Sequence, residues 1–98
     1  SEALVNALVK GLTKHNGMLM LNAHVESILT ENKRASGVKL RSGKIIKARK
    51  AVISNASVWD TLKLIPEGAI PLKYRSSKQA TPECDSFMHL HLGIDAEN

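Results

Sequence analysis

Residues 25 to 48 leave few folds open, because three short alternating runs follow one another with no room between them for a crossover. Residues 25–30 set Val25, Ser27 and Leu29 against Glu26, Ile28 and Thr30, and the polar Glu31-Asn32-Lys33-Arg34 follows at once. Residues 37–41 then put Val38 and Leu40 on one face and Lys39 and Arg41 on the other, and Ser42-Gly43 turns the chain into residues 45–48. Strict alternation is the period of a half-buried strand. Joining parallel strands takes a dozen or more residues, usually a helix, whereas a hairpin takes two to five. The stretch therefore reads as a β-meander.

Helices and further apolar runs flank it. Leu4, Leu8 and Leu12, widened by Val5 and Val9, predict a helix over residues 2–15, with Ser1 as N-cap and Asn16-Gly17 as its end. Residues 18–21 read as a short buried strand, and residues 50–54, around Ala51-Val52-Ile53, as another. Ser54-Asn55-Ala56-Ser57 opens a second helix, with Asn55 and Ser57 both suited to the cap; Val58, Trp59, Leu62 and Ile65 carry its period and Pro66 stops it. A loop-rich stretch follows, with a short helix between Leu72 and Gln79. Residues 86–94 alternate Phe87, His89 and His91 against Met88, Leu90 and Leu92, as a strand would. Helices set among four or five strands make an α/β or α+β chain.

The chain has 98 residues, enough for one modest core, and Trp59, Tyr74 and Phe87 are its only aromatics, so aliphatic side chains must do the packing. The net charge of +5 is spread over alternating strand positions. That is a solvated face rather than a nucleic-acid patch, which would interleave aromatics for stacking on bases. Cys84 is alone, so no internal disulfide or multi-cysteine metal site is available. No apolar run nears the roughly 20 residues that span a bilayer, and Ser-Glu-Ala-Leu does not open a signal peptide. The chain starts without Met inside a helical pattern and stops after a strand-like run, so both ends read as cuts.

An ordered set of motifs carries a resemblance: a helix, Gly17, the apolar residues 18–21, Val25-Glu26-Ser27-Ile28, a charged turn, Gly37-Val38-Lys39-Leu40-Arg41-Ser42-Gly43, and Val52-Ile53-Ser54-Asn55-Ala56. This resembles a segment of flavin amine oxidase-like enzymes of the carotenoid isomerase and phytoene desaturase type. Ser54-Asn55-Ala56-Ser57-Val58-Trp59-Asp60-Thr61 and Ser86-Phe87-Met88-His89-Leu90-His91-Leu92-Gly93 resemble the isomerase branch.

The resemblance implies an α/β fold in which residues 1–56 are part of a Rossmann-like FAD-binding domain with a β-meander, and residues 57–98 lead into a substrate domain. It implies FAD as cofactor, with the backbone of Val25 at the adenine end and Asn55 and Ala56 as cofactor-side neighbours. It also implies a parent enzyme that isomerises a poly-cis, prolycopene-like carotene from cis to trans, with carotenoid desaturation as the alternative. Plastid placement and peripheral membrane association of that parent come with it; the oligomeric state is left open. Without the family, Val25 is a core strand residue, and Asn55 and Ala56 are a cap and a tight turn. The G-x-G-x-x-G fingerprint that cradles a pyrophosphate is absent, so this segment alone is expected to be inactive.

A reading from another class is a small basic binding module that meets an anionic partner through its hairpin. His89 and His91 share a strand face but lack a convincing third ligand, so no metal site is expected. Cys84 has no readable base beside it and is taken as a spectator thiol. Trp59 reads as a core anchor.

Overall fold

The computed structural model describes residues 2–93, so the Ser1 cap and the end of the run at Ile94 lie outside the described residues. The elements are α1 (Glu2–Lys14), β1 (Val25–Glu31), β2 (Arg34–Leu40), β3 (Ile45–Lys47), α2 (Val58–Leu64) and α3 (Leu72–Gln79). The three strands form an antiparallel sheet in the order β1-β2-β3, which is the meander expected from the alternation.

The turns are built from local chemistry. Asn32 and Lys33 both have positive φ, 49° and 61°, between the paired Glu31 and Arg34. That is the two-residue hairpin turn whose twist matches its strands. Between β2 and β3 the Gly43 N–H donates to Leu40 O (2.9 Å), the Leu40 N–H donates to Lys44 O (2.8 Å), and Gly43 takes φ 88°. Helix α1 ends as its sequence predicts. Asn16 is left-handed at φ 60°, Gly17 N–H reaches Leu12 O (2.8 Å) and Asn16 N–H reaches Thr13 O (3.0 Å). These two bonds satisfy carbonyls that the helix end would otherwise leave bare.

Two β-bulges break the alternation. Val25 pairs with Leu40 and Ser27 with Lys39, so Glu26 is an extra residue on β1. Leu29 pairs with Gly37 and Thr30 with Ala35, so Ser36 is an extra residue on β2. In a regular strand residues three apart face opposite ways. Across the first bulge Val25 and Ile28 come to one face instead, and across the second so do Ala35 and Val38. That face meets α2, and Ile28, Leu40 and Leu62 are the buried apolar residues among those described. Gly37 is required where it stands, since a Cβ there would run into the backbone carbonyl of Ile46 on β3.

Three expected strands are not formed. Residues 18–21 are irregular and exposed, with Met18 84% accessible. Residues 50–54 are irregular and unpaired, with Val52 half-buried and Ile53 93% exposed. Residues 86–93 are likewise without strand pairing. A strand exists only by pairing its N–H and C=O groups with a neighbour, and no described segment lies alongside to do so. For the same reason the fold shows mixed α and β elements, while the parallel, doubly wound sheet of a Rossmann-like domain is not among them.

Much of the apolar surface stays bare. Leu4, Val5, Leu8 and Leu12 form the stripe foreseen on α1, yet they are exposed and no other described element packs on them. The radius of gyration is 19.1 Å, against about 13 Å for a closed domain of this length.

Candidate functional site

The face created by the bulges is one wall of a continuous cleft. The opposite wall is the irregular stretch around Val52, the Ser54-Asn55-Ala56 turn, α2 and the loop after it. One lobe, of about 390 Å³, is lined by Ile28, Thr30 and Ala35 from the hairpin, Val52, Ser54 and Thr61, and Ile65, Ala69 and Ile70, with Lys33 at the hairpin end. A second lobe, of about 250 Å³, is lined by Val25, Ile28, Val38, Val52 and Ile53, and by Asn55 and Ala56. The lobes share Ile28, Val52 and Ser54. The three positions singled out in the sequence, Val25, Asn55 and Ala56, thus line one cavity although the first two are 30 positions apart in the chain.

Backbone hydrogen bonding gives Val25 a particular character. The Arg41 N–H donates to His24 O (2.9 Å), and the Leu40 N–H is engaged by Lys44 O. In an antiparallel ladder such flanking bonds make Val25–Leu40 a non-hydrogen-bonded pair. The N–H and C=O of Val25 therefore point away from β2, along the outer edge of β1. A donor and an acceptor from one residue, side by side on a strand edge, match a planar heterocycle that presents one acceptor and one donor. Their use does not depend on the side chain, which leaves Val free to pack.

The Ser54-Asn55-Ala56 turn is held by hydroxyls. Ser54 Oγ accepts the Ala56 N–H (3.3 Å) and lies 2.7 Å from Thr61 Oγ1 on α2, and the Thr61 hydroxyl also reaches Ala56 O at 3.5 Å. Thr61 was not foreseen as part of the site; only its position one turn into a helix after a Ser-containing turn could have flagged it.

Ser57, not Asn55, is the cap of α2. Its Oγ accepts the Asp60 N–H (3.1 Å) and donates to Asp60 Oδ2 (2.8 Å), while Lys63 Nζ holds Asp60 Oδ1 at 2.8 Å. The Lys63 ammonium and then the Ser57 hydroxyl keep the Asp60 carboxyl below its ordinary value of 3.8. The chain's own carboxylate thus occupies the N-terminal end of α2, where an anion would be favoured.

The remaining candidates lie apart from the cleft. Phe87, His89 and His91 follow one another along an exposed segment, with centroids 4.8 Å and 6.2 Å apart. Among the described residues no group of three His, Cys, Asp or Glu side chains is placed to hold a metal. Cys84 is exposed and its thiol donates to Asp85 O (3.4 Å). No described helix is long and apolar enough to cross a membrane.

The chain is 35% identical over 95 residues to a chloroplastic prolycopene isomerase of Daucus carota, a match covering 96% of the chain and 15% of that protein. The chain is similar to one segment of the carotenoid isomerases and desaturases. A prolycopene isomerase of an Oncidium hybrid cultivar is 37% identical over 94 residues, covering 95% of this chain and 16% of its own. A lycopene-forming phytoene desaturase of Pseudescherichia vulneris is 34% identical over 94 residues, covering 95% of this chain and 19% of its own. The chain therefore spans about a sixth of the length of the curated relatives it matches. No family model and no solved structure matches it.

Proposed function

We propose that this chain is a segment of a larger FAD-dependent enzyme that converts a poly-cis carotene to its trans form in plastids. Alignment of nearly the whole chain with prolycopene isomerases supports the substrate class, and the word chloroplastic in those relatives' names supports the compartment. The Ser54 to Thr61 and Ser86 to Gly93 motifs favour isomerisation over desaturation. The observation that carries the cofactor reading is the outward-facing N–H and C=O of Val25, a residue that lines the same cavity as Asn55 and Ala56.

The residues present fit the adenine end of the cofactor. The Val25 N–H would donate to a ring nitrogen and its C=O would accept from the exocyclic amine, with Ile28 and Val38 supplying apolar contact. They do not supply a cradle for the pyrophosphate, which a glycine-rich turn at a helix start would provide from elsewhere in the parent. Bound FAD would supply the electron chemistry that lets a cis double bond of the polyene turn to trans. Residues 1–56 would belong to the cofactor domain and residues 57–98 would lead into the substrate domain. The segment alone would be inactive.

The test is purification of the full-length polypeptide followed by its visible spectrum and an assay on poly-cis carotene. Bound flavin and an all-trans product with an unchanged number of double bonds are expected. A product with additional double bonds would make the parent a desaturase. A preparation that neither contains nor takes up flavin would overturn the proposal.

A further inference from the structure

One side chain in this fold holds three backbone carbonyls. From α3, Arg75 reaches back so that Nη1 donates to Leu62 O (2.8 Å) and Nη2 donates to Ile65 O (3.0 Å) and Pro66 O (3.2 Å). These carbonyls are left unpaired or weakly paired where α2 ends, since Pro66 stops the helix and the Ile65 N–H reaches Leu62 O only at 3.4 Å. The end of a helix carries partial negative charge, and a planar guanidinium can meet several oxygens at once, as an ammonium cannot. The chain between the two ends of this clamp is the wall of the larger lobe, formed by Ile65, Ala69 and Ile70.

We infer that Arg75 is a positioning residue for the cleft, a latch that holds the residue 65–70 wall against the β1–β2 face and so sets how widely the larger lobe opens. Apart from the packing of the half-buried Ile65, Ala69 and Ile70, the wall has few ties. It contains Pro66 and a left-handed Gly68 (φ 79°), and its one internal backbone bond is Ala69 N–H to Pro66 O at 3.2 Å. The inference does not depend on the identity of the ligand, and stands or falls apart from the flavin reading.

Hydrogen exchange on the full-length polypeptide tests it, comparing Arg75→Ala and Arg75→Lys with the parent. Loss of charge-assisted bonds should speed exchange of the Ala69 amide about tenfold or more in Arg75→Ala, and less in Arg75→Lys. The hairpin amides of Leu40 and Arg41 should keep their parental rates. Millimolar methylguanidinium should slow the Ala69 amide again in Arg75→Ala, whereas methylammonium should not. An Ala69 amide within twofold of parental would overturn the latch. So would equal acceleration of the hairpin amides, which would make Arg75 a support of the whole fold, or rescue by both cations alike.

Discussion

The register of β1 makes a sharp prediction about where proline is tolerated. From the open pair Val25–Leu40, the ladder passes the bulge at Glu26 and then alternates. Ser27–Lys39 is bonded, Ile28–Val38 is open and Leu29–Gly37 is bonded. The Ala48 N–H to Ser36 O bond (2.9 Å) agrees, since it turns the N–H and C=O of Gly37 toward β1. Proline lacks an N–H and is accepted on edge strands where that N–H faces outward. Val25→Pro should therefore leave the hairpin nearly intact. Leu29→Pro removes a ladder donor and strands the Gly37 carbonyl, at a cost of about 1–3 kcal/mol. If the Val25 N–H is a cofactor contact, Val25→Pro should lose one hydrogen bond to it, about 1 kcal/mol, or roughly fivefold in affinity. Urea melts read the first quantity, and quenching of flavin fluorescence in the full-length polypeptide reads the second. A Val25→Pro protein that unfolds as readily as Leu29→Pro would refute the register argument. A stable Val25→Pro protein that binds FAD as tightly as the parent would refute the role given to that backbone.

Other outcomes follow from the same geometry. Gly37→Ala should cost about 1–3 kcal/mol in a thermal melt, because the added methyl collides with the Ile46 carbonyl and pushes β3 off the sheet. Asn16→Val should shorten α1 and cost about 1–2 kcal/mol, read by circular dichroism, since a β-branched residue resists φ near 60°. The Asp60 carboxyl titrates below 3.8 in the folded chain, so its contribution to α2 is present at neutral pH and is lost as pH falls through that lowered value. Asp60→Asn should remove this part of the acid sensitivity in melts compared across the acid range. The 98-residue chain alone should self-associate and bind an apolar dye, given the bare Leu4, Leu8, Met18, Ile53 and Phe87; a monomer with a sharp melt at high temperature would contradict this.

The elements that the sequence alone determined are those whose causes lie within a few residues. The leucine stripe and the Asn16-Gly17 stop place α1. The alternating runs and their two turns place the meander. A cap at Asn55 or Ser57 starts α2 and Pro66 ends it, with the structure choosing Ser57, and residues 72–79 form α3 as expected. Tertiary structure decided the rest, because the causes lie far along the chain. The bulges at Glu26 and Ser36 follow from how β1 and β2 meet; the first brings Val25 and Ile28 to one face of the cleft, and the second brings Ala35 and Val38 there. The ties from Thr61 to Ser54 and from Arg75 to Leu62, Ile65 and Pro66 depend on packing that no local pattern encodes. Residues 18–21, 50–54 and 86–93 have the composition of strands without the pairing. Side-chain alternation is written into a sequence, but a strand's hydrogen bonds belong to two segments at once.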